Sequence, residues 1–98
     1  MDKEQLMNDC VKALKIGVQK ASEAERDYRK LKSNKFVEAK GREGLAAEKA
    51  AWVDAECADK RYERDLAQGM VQALLEENRN YRQQMSYAQT MANVDKIS

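Results

Sequence analysis

Cys10 and Cys57 are the only thiols in the chain, and no histidine is present to activate either one. The thiolate is the reactive form of cysteine, and imidazole is its usual activating base. Two thiols alone cannot close a tetrahedral zinc site. The helical register set out below separates them by roughly 27 Å, too far for a disulfide within one chain. Both are read as small buried side chains in a reducing cytosol.

The carboxylates Glu56, Asp59, Glu63, Glu76 and Glu77 recur at helical spacing. Paired carboxylates do acid–base work when their surroundings drive their pKa values apart. Here Lys60, Arg61 and Arg64 alternate with them, the pattern of an ion-paired, solvated helix face. Glu77 falls on the apolar stripe and reads as the point where that stripe opens. With no base, nucleophile pair or phosphate-cradling glycine loop, the expectation is a non-enzymatic protein. No cofactor, metal or small-molecule substrate is expected.

A third group is basic. Arg26, Arg29, Lys30, Lys32 and Lys35, with Lys40 and Arg42 beyond them, interleave with Tyr28 and Phe36. Cations that track phosphates and rings that stack on bases give salt-sensitive nucleic-acid binding. That is the alternative function. The whole chain carries 18 Lys and Arg against 17 Asp and Glu, a net charge of +1. Such a balance supplies no general attraction to nucleic acid or to a membrane surface.

These side chains must be positioned by helices. Proline is absent, and 36% of the 98 residues are charged. In the first half Met7, Cys10, Leu14, Gly17, Ala21, Ala24, Tyr28 and Leu31 alternate at three and four residues, widened by Val11 and Val18. A helix over about 2–40 follows. Gly17 on the stripe implies a close helix approach. Gly41-Arg42-Glu43-Gly44 is the turn, with Gly41 suited to a left-handed cap and Gly44 to an N-cap. A second helix over about 45–93 carries Trp52, Ala55, Cys57/Ala58, Tyr62, Leu66, Met70, Ala73/Leu74, Glu77, Tyr81, Met85, Ala88 and Met91 as its stripe. The mean period near 3.6 predicts fairly straight helices without a regular supercoil. Ser33-Asn34, Gly69 and residues 78–80 are the places where bending is expected.

The fold class is therefore all-α: one domain over 1–98, a long antiparallel two-helix hairpin of coiled-coil type that self-associates. Folding about residues 42–43 sets Phe36 by Lys49 and Trp52, Tyr28 by Cys57, Leu14 by Val71 and Met7 by Asn78. Charge agrees with this pairing. Residues 26–42 hold seven basic side chains against two acidic, and residues 48–65 hold six acidic against four basic. Arms of roughly 58 and 74 Å leave about a dozen residues of the second helix overhanging. The tail from Tyr81 to Met91 is rich in Gln, Met and Tyr, residue types that suit a protein interface. Trp52, Tyr62, Leu66, Met70, Leu74, Tyr81, Met85 and Tyr87 are the expected partner-binding residues, the partner being another protein, a second copy, or both. The opening residues Met1 to Cys10 are polar with no apolar signal core. No apolar stretch is long enough to span a bilayer. The expected location is the cytoplasm, that of the host if the protein is phage-encoded.

Tyr28-Arg29-Lys30-Leu31-Lys32, the Gly41–Gly44 turn and Ala46-Ala47-Glu48-Lys49-Ala50-Ala51-Trp52-Val53-Asp54 together resemble small helical coiled-coil accessory proteins of tailed bacteriophages. The resemblance spans roughly residues 25–70. It implies an accessory role, binding and modulating a host or phage protein of DNA processing or recombination, as an inhibitor for example. It transfers no catalytic or binding residue.

Overall fold

The computed structural model describes residues 2–97, and within them every element is helical: α1 (Lys3–Lys40), α2 (Ala46–Glu56) and α3 (Ala58–Ile97). Asp2 starts α1, its carboxylate accepting the Gln5 amide at 2.7 Å, which satisfies one of the free N–H groups of the first turn. Glu4 lies in that turn and Lys40 in the last, each at the end of the helix dipole that favours its charge. The helix runs unbroken through Ser33-Asn34.

The turn differs from the expected one. Gly41 is right-handed, at φ −84° and ψ −5°, and its amide and that of Arg42 close back on Glu38 and Ala39, each at 3.1 Å. Gly44 holds the positive φ, +127°. Leu45, not Gly44, is the N-cap of α2. Its amide donates to the Glu48 carboxylate at 3.3 Å.

The second helix is interrupted once, at Cys57, where φ is −97° and ψ 0°. Hydrogen bonds continue on both sides: the Cys57 amide reaches Val53 O at 3.1 Å, and Arg61 N reaches Cys57 O at 2.9 Å. Ala46 to Ile97 would span about 78 Å as one straight helix. The molecule measures 79 × 21 × 15 Å, so α2 and α3 are close to collinear. Gly69 and residues 78–80 lie within unbroken helix.

Contacts between the arms descend in number. Lys35 meets Trp52 and Glu56. Glu25 and Tyr28 meet Arg64, Gly17 approaches Leu74 and Val71, and Cys10 donates to Leu74 O at 3.4 Å. The α1 arm thus runs opposite to α2–α3. Tyr28 packs with Cys57 and Cys10 reaches Leu74 O, as a fold about residues 42–43 expects. Gly17 approaches Val71 and Leu74, and Arg64 covers Tyr28, contacts centred up to about one helical turn further along.

The seam between the arms is thin. Tyr28, Ala39, Val53 and Cys57 form its buried centre, with Leu31 and Trp52 packed on them. The eight stripe residues expected inward on α1 and Val11 beside them are buried or half-buried, whereas Val18, expected to widen the stripe, is exposed. On the other arm Val53, Cys57, Lys60, Arg64, Ala67, Val71, Leu74, Asn78, Tyr81 and Met85 are covered, with Lys49, Trp52, Ala58 and Arg61 half-buried beside them. From Arg64 onward the covered positions alternate at three and four residues, the 3.5-residue period of a left-handed coiled coil. This replaces the expected 3.6-residue stripe, whose Tyr62, Leu66, Met70 and Glu77 are all exposed. Asn78, one residue beyond Glu77, is the buried polar residue. Among the described residues no helix is long and apolar enough to cross a membrane.

Candidate functional site

The eight residues expected to form one partner-binding face lie on two. Trp52, Leu74, Tyr81 and Met85 are half-buried in or beside the seam. Arg42 covers the Trp52 ring at 4.4 Å, with the Lys35 ammonium at 5.5 Å. The Leu74 side chain lies 3.4 Å from where a Cβ on Gly17 would stand. Tyr81 donates its hydroxyl to Glu77 at 3.0 Å. That bond, with some burial and the carboxylate's charge, raises the phenol's pKa. These four side chains are engaged within the chain.

Tyr62, Leu66, Met70 and Tyr87 point outward, at 67%, 57%, 57% and 68% exposed. The seam's own geometry causes this. Between Ala58 and Ala67 the covered positions are held by Lys60, Arg61 and Arg64, long side chains whose stems can cover apolar surface while the charge stays at the rim. The guanidinium of Arg64 sits 4.4 Å from the Tyr28 ring centre and its Nε 3.6 Å from Glu25 Oε2. The large apolar residues of that stretch are left on the neighbouring face.

That face continues onto α1. Ala13, Ile16 and Lys20 of α1 line an open groove with Ala67, Met70 and Leu74 of α3, and Gly17 forms its floor. Ile16 is more than half exposed. Aliphatic side chains exposed side by side on two helices form a contiguous apolar patch, the kind that marks an interaction site. The groove was not foreseen from the sequence, because Ile16 falls outside the α1 stripe.

The basic residues divide differently. Arg29 pairs with Glu25 at 2.8 Å and Arg26 lies 3.6 Å from Asp27. Lys35 is held by Glu38 at 3.3 Å and Glu56 at 3.8 Å. Lys32 lies over Tyr28 at 5.7 Å, and Lys30 is exposed. Three of the five named cations are thus engaged with carboxylates, which reduces the local positive field offered to phosphate.

Cys10 and Cys57 are free and buried. Burial, with the charge of Glu77, pushes the Cys10 pKa upward, and its hydrogen bond to Leu74 O also favours the protonated thiol. Among the described residues no group of three or more His, Cys, Asp or Glu is placed to hold a metal ion. The chain matches no family model, no curated protein and no solved structure.

Proposed function

We propose that this protein is a non-enzymatic interaction factor of phage-accessory type. It acts as a two-helix hairpin that presents the outer face of α3 to another helical protein surface, such as that of a DNA-processing protein. The observation that carries this reading is the exposure of Tyr62, Leu66 and Met70 along one helix face, with Met70 sharing a groove with the exposed Ile16. Helical partners recognise such faces through anchors one turn apart, as Leu66 and Met70 are. A few aromatic, aliphatic and Met anchors then supply most of the affinity.

The test is capture from the native host by wild type and by a Leu66→Asp/Met70→Asp variant, with Lys30→Glu as a surface control. The reading expects one or more proteins held by wild type and the control but lost from the double variant. Equal capture by all three contradicts it. So does tight binding of short DNA with a steep salt dependence that is lost on Arg29→Glu/Lys30→Glu/Lys32→Glu.

A further inference from the structure

Two exposed triplets on α3 repeat one spacing. Leu66, Met70 and Ala73 follow one another at four and three residues, and Tyr87, Met91 and Val94 do the same. Glu77, Asn80 and Gln84 between them keep the alternation, and all nine residues are exposed. The helix therefore carries two heptad stripes, one against α1 and a second about 100° around the helix from it, on the flank beside α1. The second stripe also runs past the start of α1, which Asp2 caps. Every residue from Ser86 to Val94 is exposed.

We infer that a second copy of this chain covers the outer stripe, its α3 lying antiparallel about a two-fold axis near residues 78–79. This rests on the reading of that face as an interaction surface and names its occupant. In this register Leu66 meets the partner's Met91, Met70 meets the partner's Tyr87, and Glu77 meets the partner's Asn80. The symmetry makes each pairing twice. A shift of one heptad in one direction sets Leu66 against Gln84 and Met70 against Asn80, apolar against polar. A shift in the other direction pairs Met70 with Val94 but sets Tyr87 against Glu77, ring against carboxylate. The central register alone pairs Leu66, Met70, Tyr87 and Met91 with one another, leaving Val94 of the five large apolar residues beside the partner's Glu63 at the rim.

Charge supports the same occupant. From Gln83 to Val94 no side chain is charged. The segment that overhangs its own α1 is thus suited to the apolar groove of Ala13, Ile16, Ala67 and Met70 on the partner. A helix paired with its own copy brings like charges together wherever they lie near the axis. Here the only charge of the stripe between Leu66 and Val94 is Glu77, and it faces an asparagine amide that can donate to it. Polar positions of this kind fix register in coiled coils. The stripe is roughly 43 Å long, enough with its flanking side chains for the roughly 1,200–2,000 Å² that specific interfaces bury.

The experiment uses the full chain with its two buried thiols, wild type serving as the control. Met70→Cys and Tyr87→Cys are made separately, mixed and oxidised mildly. The inference expects a disulfide-linked dimer from the mixture and no more than the wild-type level from either variant alone, since the two Met70 positions lie roughly 25 Å apart along the axis. Light scattering of wild type at about 100 µM, a range in which weak interfaces are populated, should give twice 11.2 kDa, and Leu66→Asp should return it to 11.2 kDa with its helix signal retained. A wild-type mass of 11.2 kDa overturns the inference, as does linkage of Met70→Cys to itself. If either occurs while Leu66→Asp/Met70→Asp still loses a captured host protein, the interaction face stands and only its occupant is wrong. If capture is also unchanged, both readings fall.

Discussion

Arg64 stacks on Tyr28 at 4.4 Å while its Nε lies 3.6 Å from Glu25 Oε2, and through this pair a charged residue fills a layer of the helical seam. The hydrogen bond to Asp65 is the chief cause that raises the Arg64 pKa, partly opposed by burial. Arg64→Ala removes the stacked plane and leaves Glu25 Oε2 buried without a hydrogen bond, with Arg29 only on the carboxylate's other oxygen. The expected result is a melting temperature lower by several degrees. Arg64→Lys should restore only part of it, because an ammonium presents no plane to the ring. Thermal unfolding of the three proteins checks this; full rescue by lysine would mean that charge alone matters.

Asn78 is buried to 7% exposure and its Oδ1 has no hydrogen-bond partner. Leaving a buried polar atom unmade costs about 1–3 kcal/mol. Asn78→Leu should therefore stabilise the chain by about 1–2 kcal/mol in urea unfolding. It should also weaken the preference for one register, since a single buried Asn specifies pairing. A destabilised variant would show that the side chain finds a partner the seam does not reveal.

Legibility followed the chemistry of the inward positions. On α1 the apolar positions Met7, Cys10, Leu14, Gly17, Ala21, Ala24, Tyr28 and Leu31 are covered as the periodicity indicates, while Glu25, Lys35 and Ala39, also covered, were not named by it. On α3 the covered positions include Lys60, Arg64 and Asn78, while Tyr62, Leu66 and Met70 lie outside. A hydrophobicity pattern therefore followed the outer stripe in the middle of the helix and mixed two faces into one. The pairing of Tyr28 with Cys57 was legible, whereas the positive φ falls at Gly44 and not at Gly41, the residue the sequence suits to a left-handed cap. The interruption at Cys57 has no local breaker; no glycine, proline or asparagine stands there. The outward position of Leu66 and Met70 became visible only with the seam assigned.

Two glycines should respond oppositely to alanine. Gly69 lies in unbroken helix with no atom within 4 Å of an added Cβ, so Gly69→Ala should stabilise by about 0.5–1 kcal/mol. Gly44 has φ +127°, and a Cβ there would stand 2.8 Å from Glu48 Oε2. Gly44→Ala should destabilise by about 1–2 kcal/mol. Urea midpoints of both variants, with unchanged slopes, provide the check.

Burial, and after it the charge of Glu77, raises the Cys10 pKa above the ordinary thiol value. A raised folded-state value means that the folded chain holds this proton more tightly than the unfolded one. The resulting stability is fully present below about pH 9 and is lost as pH rises through the folded value. Tyr81, raised by its bond to Glu77, acts in the same direction at higher pH. Cys10→Ala should therefore flatten the first part of the alkaline decline without abolishing it. The native thiol should also react with iodoacetamide more slowly than a free cysteine at pH 8. Equal rates would contradict its protection.

The central claim is that the seam alone is narrow and that the outer stripe of α3 is satisfied by association. Thermal melting of wild type and Leu66→Asp over a hundredfold range of protein concentration tests it most directly, since binding to the native state makes melting concentration-dependent. The account predicts a wild-type midpoint that climbs with concentration and a variant midpoint that stays level at every dilution. A wild-type midpoint that does not move contradicts it.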